Sequence, residues 1–278
     1  MNPKRILIAG CGDVGIALGK LLAAQGHTVF GLRRTTRLLP DGIQGISADL
    51  SNKDTLSNLP SIDILVYCAA AGGSGEQGYI DTYISGVDNL LDALPSPPSH
   101  IFFTSSTSVY GQNDHSWVDE SSPTTPDSAT GQIMCEAEQR VLRHPHATVV
   151  RFSGIYGPDR NHLINAVKQG ISAPTSQLHY SNRIHRDDCA GILSFLIGKQ
   201  ITGESIDSLY LASDLSPTPI ADITQWLAAQ LGVEITTEKE IRRGGSKRCN
   251  SQKIQQAGYR FKFPDFKSGF ASQLDVSD

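Results

Sequence analysis

The sequence predicts an α/β chain built on a doubly wound parallel sheet, with a small C-terminal lobe. Two observations carry that expectation. Short apolar runs alternate with stretches of helical periodicity from residue 5 to about residue 155. The first apolar run ends in a glycine cluster, Gly10-Cys11-Gly12-Asp13-Val14-Gly15, which opens the first helical stretch.

Residues 5–9 are a short apolar run, as a strand buried on both faces requires. Residues 13–24 place Val14, Ala17, Leu18 and Leu21 at helical spacing, and Gly26 stands where a C-terminal cap belongs. Residues 28–32 form a second strand and 46–48 a weak third, followed by a short helix over 53–59. Residues 63–69 are a strong fourth strand. A helix over 79–94 carries Tyr83, Val87, Leu90, Leu91 and Leu94 on one stripe. A fifth strand over 101–105, a helix over 128–143 and a sixth strand over 148–152 complete the alternation. Right-handed crossovers then place a ligand at the carboxyl ends of the strands.

The pattern changes after about residue 155, where Pro158, Pro174, Pro217 and Pro219 break shorter elements. Residues 187–199 and 208–212 return to the sheet. The expected division is a sheet domain of residues 1–155 plus about 182–213, and a lobe of 156–181 plus 214–278. The cluster Arg242, Arg243, Lys247 and Arg248 with Gly244-Gly245 reads as a solvated basic loop.

Composition narrows the partners. The 278 residues carry 24 Lys+Arg against 28 Asp+Glu, a formal charge of −4. This mild acidity argues against nucleic acid, which binds a basic face. No apolar run reaches the roughly 18–20 residues that cross a membrane. Met1-Asn2-Pro3-Lys4-Arg5 leads directly into Ile6-Leu7-Ile8-Ala9, too short a run for a secretory signal, so a cytoplasmic location is expected. The five cysteines at 11, 68, 135, 189 and 249 are widely spaced and form no C-x-x-C pair. They read mostly as small buried apolar residues. His144 and His146 flank Pro145 without an acidic or cysteine partner at ligand spacing, so no metal is expected.

The glycine cluster has a physical logic. Gly10 permits a tight turn, Gly12 lets backbone approach a pyrophosphate, and Gly15 lets helix pack on strand. The amides of the helix N-terminus, with Asp13 and Val14 in its first turn, then receive the anion. A Rossmann-type domain binding NAD(P) is the expected result. The second strand runs into Arg33 and Arg34, and no acidic residue occurs between Gly26 and Asp41. Arginine suits a 2′-phosphate where Asp or Glu would take a ribose hydroxyl, so NADP is expected over NAD. Asp49-Leu50 is placed to contact adenine, and Ala69-Ala70-Ala71-Gly72-Gly73 lets backbone approach the cofactor.

Three further stretches carry a resemblance: Thr104-Ser105-Ser106-Thr107-Ser108-Val109-Tyr110-Gly111, Arg151-Phe152-Ser153-Gly154-Ile155-Tyr156-Gly157-Pro158, and Arg183-Ile184-His185-Arg186-Asp187-Asp188. With the glycine loop they make the chain resemble an extended short-chain dehydrogenase/reductase of the NAD-dependent epimerase/dehydratase group. The resemblance implies a cofactor in the first domain and a small-molecule substrate, often a nucleotide-sugar, at the second. It also implies a homodimer through the helices at 79–94 and 128–143. It places Ser106 where the family holds a substrate oxygen.

The resemblance breaks at the family's Tyr-x-x-x-Lys pair, which occurs nowhere in this chain. Alignment on Glu138-Gln139 puts Thr130 at the tyrosine position and Met134 at the lysine position, as in atypical family members. An aliphatic hydroxyl is far too weak an acid to replace a tuned phenol. Tyr110 reads as a structural residue with a lesser claim to acid–base work, Tyr156 as a substrate contact beside the cleft, and His185 as a joint between domain and lobe. Two functions follow as expectations. One is an NAD(P)-dependent oxidoreductase or epimerase-like enzyme with Ser106, Thr130 and Tyr156 in an atypical site. The other is a non-catalytic NADP-binding sensor or scaffold.

Overall fold

A computed structural model describes residues 2–37, 39–72, 75–240 and 245–274. Its central sheet has strands β1 (Arg5–Ala9), β2 (Thr28–Arg33), β3 (Ile43–Ser47), β4 (Ile64–Tyr67), β5 (His100–Ser106), β6 (Ala147–Phe152) and β7 (Leu209–Ala212). They lie in the order β7-β6-β5-β4-β1-β2-β3, and every pairing is parallel. The helices, in chain order, begin with α1 (Asp13–Ala24) and α2, a continuous run of Glu76–Tyr79, Ile80–Ser85 and Gly86–Ala93. Next come α3 (Ala129–Val141), α4 (His162–Lys168) and α5 (Arg186–Ile201). The last are α6 (Ile220–Leu231), α7 (Gln252–Gln256) and α8 (Phe266–Leu274).

This is the doubly wound, Rossmann-type arrangement. Period-two alternation sends Ile6 and Ile8 of β1 to one face and Leu7 and Ala9 to the other, and all four are buried. The first face packs on Leu18 and Leu22 of α1 and on Leu193 and Ile197 of α5. The second packs on Val87 and Leu90 of α2 and on Met134 and Ala137 of α3. Among the described residues no helix is long and apolar enough to cross a membrane. Cys11, Cys189 and Cys249 are buried, Cys68 and Cys135 partly so, and all five thiols are free.

Two elements depart from the sequence expectation for physical reasons. β3 begins at Ile43, three residues ahead of the apolar run at 46–48. Ile43 fills the space above Gly19 and Gly31, where an added Cβ would lie 2.4 and 2.8 Å from its side chain. Missing side chains on α1 and β2, rather than a hydrophobic run, therefore place this strand. In α2, Ile80–Ser85 is π-helical. The Tyr67 hydroxyl donates to the Thr82 carbonyl there, and an added Cβ on Gly86 would lie 2.7 Å from that hydroxyl. An inserted side-chain group of this kind is a recognised cause of such a turn.

A third core lies beyond the carboxyl edge of the sheet. Leu163 and Val167 of α4, Ile223 and Leu227 of α6, and Phe266 and Phe270 of α8 meet there around Tyr156. Ile254 of α7, with the partly buried Tyr259 and Phe261, joins the sheet-side core instead. This stretch was expected within the lobe, but it packs beneath the sheet. The chain thus reaches the lobe, returns for β7, enters the lobe again and comes back a second time.

Candidate active site

A groove of about 1810 Å³ follows the carboxyl edge of the sheet, from the glycine loop after β1 to the wall of the lobe. It opens where strand order reverses between β1 and β4. Gly10 has φ +80°, and a Cβ added to it would lie 2.2 Å from the Ala69 Cα at the end of β4. The two loops can meet only because residue 10 has no side chain. A Cβ on Gly12 would find nothing nearer than the Gly10 carbonyl at 3.9 Å, so Gly12 faces open space. No side chain caps α1, which leaves its first-turn amides to a ligand. This cradle fits a dinucleotide pyrophosphate.

Of the residues expected at the cofactor, Gly10, Gly12, Asp13, Val14, Arg33, Arg34, Asp49, Leu50, Ala69 and Ala70 line the groove. Gly15 and Ala71 do not. Gly15 lets α1 close on β1, since a Cβ there would lie 3.0 Å from Ile8. Ala71 packs on the core beneath α2. The Asp13 carboxylate is held by Arg160 at 2.6 Å and by Arg186 at 3.0 Å, so its charge is matched beside the anion cradle. Arg33 donates to the Cys11 carbonyl at 3.3 Å. A Cβ on Gly72 would sit 3.2 Å from an Arg34 guanidinium nitrogen, so Arg34 reaches from the end of β2 toward the end of β4. Asp49 accepts from the Ser51 hydroxyl at 2.8 Å and amide at 3.0 Å. These bonds, helped by the Arg34 charge, hold its carboxyl below the usual carboxylate range.

Ser106, Thr130 and Met134 line the next part of the groove. Ser106 ends β5 and accepts from the Ser108 amide at 3.1 Å. α3 starts at its cap Ser128, whose hydroxyl accepts from Gly131 at 3.2 Å. Met134 is only 2% exposed and is also part of the core.

Beneath this wall lies a buried ion pair that sequence reasoning did not assemble. Arg151 of β6 meets Glu138 of α3 through both carboxylate oxygens, at 2.9 and 2.6 Å. The Ser105 hydroxyl donates to the same carboxylate at 2.6 Å. Arg151 also donates to the Tyr110 hydroxyl at 2.9 Å, and that hydroxyl donates to the Asp119 carbonyl at 2.7 Å. Tyr110 is 2% exposed, so it serves as a strut and is not placed for acid–base work.

Tyr156 reaches the groove only as a wall. Its hydroxyl lies 3.4 Å from the Asp265 carbonyl, in space left by Gly269, and its ring packs on Phe270. Burial pushes its ionisation far above the ordinary phenol range. The hydroxyl is therefore spent away from the groove, which removes Tyr156 from the catalytic candidates. His185 caps α5 by accepting from the Asp187 amide at 3.1 Å, and its ring lies between Tyr156 and Phe263. Burial lowers its pKa to about 4, leaving it neutral as a joint between sheet and lobe.

The lobe end of the groove corrects one expectation. Lys247 was read as part of a solvated basic loop, yet it is 6% exposed and lines the groove. The cause is a long-range pairing of Arg248–Cys249 with Trp117–Val118, secured by the Asn182 side chain at the Lys247 carbonyl and the Cys249 amide. Arg248 stays partly exposed, over Trp117 and Tyr180. Arg242, Arg243 and Gly244 lie outside the described residues. Ser153 and Arg183 line the groove as well.

Asp214 lies behind this end, 1% exposed. Burial raises its pKa to about 8. An acid whose folded pKa exceeds its unfolded one stabilises the fold at low pH and loses that contribution as pH rises through the folded pKa. Asp214→Asn is therefore expected to gain stability over the parent protein as pH rises from 5 to 8.5. Urea midpoints at the two pH values check this, and an equal gap at both would refute it.

Comparison with known proteins places the molecule. Residues 6–188 match the model of the NAD dependent epimerase/dehydratase family. The chain belongs to that family. A protein of Methylobacillus flagellatus assigned to the NAD-dependent epimerases/dehydratases is 37% identical, with a TM-score of 0.85 and 98% of each chain covered. The Escherichia coli K12 protein YeeZ is 28% identical across 94% of this chain and 97% of its own length. The human epimerase family protein SDR39U1, solved with NADPH, is 21% identical and shares the fold at a TM-score of 0.77, with 98% of this chain and 99% of that chain covered.

Proposed function

We propose that the chain is an NADP-dependent oxidoreductase or epimerase/dehydratase-like enzyme, acting on a nucleotide-sugar or another small carbonyl or hydroxyl compound. The observation that carries this reading is one continuous groove running from the glycine loop, past Arg33 and Arg34, to Ser106 and Thr130. Gly10, Gly12 and Val14 would hold the pyrophosphate through backbone amides. Arg33 and Arg34 would take the 2′-phosphate, Asp49 and Leu50 the adenine, and Ala69 and Ala70 would line the path toward the reacting end. When bound, the dinucleotide supplies hydride transfer.

The chain's own residues orient the substrate. Because Ser106 already accepts from the Ser108 amide, its proton is free to donate to a substrate oxygen. Thr130 can add a second hydroxyl from the facing helix. Neither is a strong enough acid to act as a tuned phenol does. That deficit, together with the uncharged Met134, favours a second reading in which NADP is bound without turnover.

Titration of the purified protein with NADPH and NADH, then a panel of carbonyl and nucleotide-sugar substrates, tests both. Binding of neither dinucleotide overturns both readings, whereas binding without turnover favours the sensor. For the cofactor choice, Arg33→Ala and Arg34→Ala should each weaken NADPH by about tenfold or more, as loss of a charged hydrogen bond predicts. NADH affinity should change little. Equal losses for the two cofactors would refute the 2′-phosphate assignment.

A further inference from the structure

The glycine loop is tied to the lobe by a charged contact at the groove. Asp13 stands between Gly12 and Val14 in the cradle, and two arginines of different setting share its carboxylate. Arg186 opens α5, the helix that packs on α1, and takes one oxygen at 3.0 Å. Arg186 does not line the groove and is itself held by Asp187 at 3.0 Å. Arg160 takes the other oxygen at 2.6 Å, through Nε. Unlike Arg186 it lines the groove, and its side chain is 41% exposed against 21%.

The chain presents Arg160 on a constrained turn. The short strand Gly154–Tyr156 pairs in parallel with Arg183–His185, which brings residue 157 against Arg186. A Cβ on Gly157 would lie 3.1 Å from the Arg186 Cβ. Gly157 has φ +137° and Asp159 φ +65°, and the Arg160 amide donates to the Gly157 carbonyl at 3.0 Å. A left-handed residue other than glycine is unfavourable alone and persists where its surroundings impose it. Arg160 then leads into α4, whose Leu163 and Val167 are buried in the lobe core. The ion pair thus joins cradle to lobe over 147 positions of chain.

Its strength suits a contact that opens. Ion pairs with this much solvent access are worth little, because water and salt compete for both partners. Asp13 keeps its place when Arg160 leaves, because Arg186 still holds it. We propose that Arg160 and Asp13 are a releasable clasp between cradle and lobe, and that the dinucleotide enters and leaves while the clasp is open. Arg160 is thereby a positioning residue for the cofactor, acting through Asp13. This role rests on the reading of the groove as a dinucleotide site.

Stopped-flow fluorescence of NADPH with the full chain gives the association rate constant, and a chase with excess NADP+ gives dissociation. Asp13→Asn and Arg160→Gln should each raise both constants by about three- to fivefold, the upper worth of one exposed ion pair, with little change in affinity. The double variant should be no faster than the faster single one, because the two residues act as a unit. Arg160→Lys keeps the cation and should stay within about twofold of the parent rates. Charge acting through space gives a different pattern. Removing the Asp13 carboxylate from beside an anion would slow release, and removing the Arg160 cation would slow association. Either result overturns the clasp. So do rates that neither substitution moves, a double variant whose effects multiply, or an Arg160→Lys protein as fast as Arg160→Gln. If the parent chain binds no NADPH, the dinucleotide reading itself falls and the clasp with it, an outcome distinct from binding with unaltered rates.

Discussion

Glu138→Gln is expected to cost about 3–5 kcal/mol of stability, because it strands the Arg151 guanidinium, whose one ion pair among the described residues is with Glu138. The side chains of Arg151 and Glu138 are only 7% and 5% exposed, so water cannot replace the lost charge. One carboxylate here binds β6 through Arg151, β5 through Ser105, and its own helix α3. Urea unfolding measures the loss. The double variant Glu138→Gln with Arg151→Met removes both charges and should recover much of it. If the double variant proves as unstable as the single one, stranded charge is not the cause.

Gly10→Ala is expected to damage both stability and cofactor binding. The left-handed backbone at φ +80° costs an alanine about 1–2 kcal/mol. The new methyl would also overlap the Ala69 backbone, and overpacking adds about 1–3 kcal/mol more. Relief requires β1 and β4 to part at the pyrophosphate cradle, so NADPH affinity should fall by more than about tenfold, or 1.4 kcal/mol. Gly26→Ala is the control. It has a similar φ of +86° and nothing within 4 Å of an added Cβ, so it should lose only the strain. Equal losses at the two positions would show that contact with Ala69 does not matter.

Much of this architecture was legible in the sequence because its causes are local. Both-face burial of β1 writes itself as an apolar run, and the glycine loop announces a tight turn before a helix. Of the expected stripe, Tyr83, Val87, Leu90 and Leu94 are buried in the core, and Leu91 packs against it partly buried. What stayed hidden depends on partners distant in the chain. β3 is placed by glycines on α1 and β2, and the π-helical turn of α2 by a hydroxyl from β4. Lys247 looked solvated because basic runs usually are. Its burial follows from the pairing of Arg248–Cys249 with Trp117–Val118, and its ammonium bonds to a carbonyl 137 positions earlier. The candidate site divides in the same way. Its glycine loop and Ser106 were visible as motifs, whereas the enclosed position of Lys247 in the groove wall was not.

The repeated passage between sheet and lobe has a consequence for how such a protein can change over generations. β7 is an edge strand of the sheet, yet the chain reaches it only after building α4 and leaves it to build α6. Its Leu211 amide is held by the Glu120 carboxylate, and the chain then returns beneath the sheet at Ile254 before ending the lobe at α8. The lobe is therefore not a cassette. No single junction among the described residues separates it from the dinucleotide fold, so the lobe cannot be exchanged as one continuous segment.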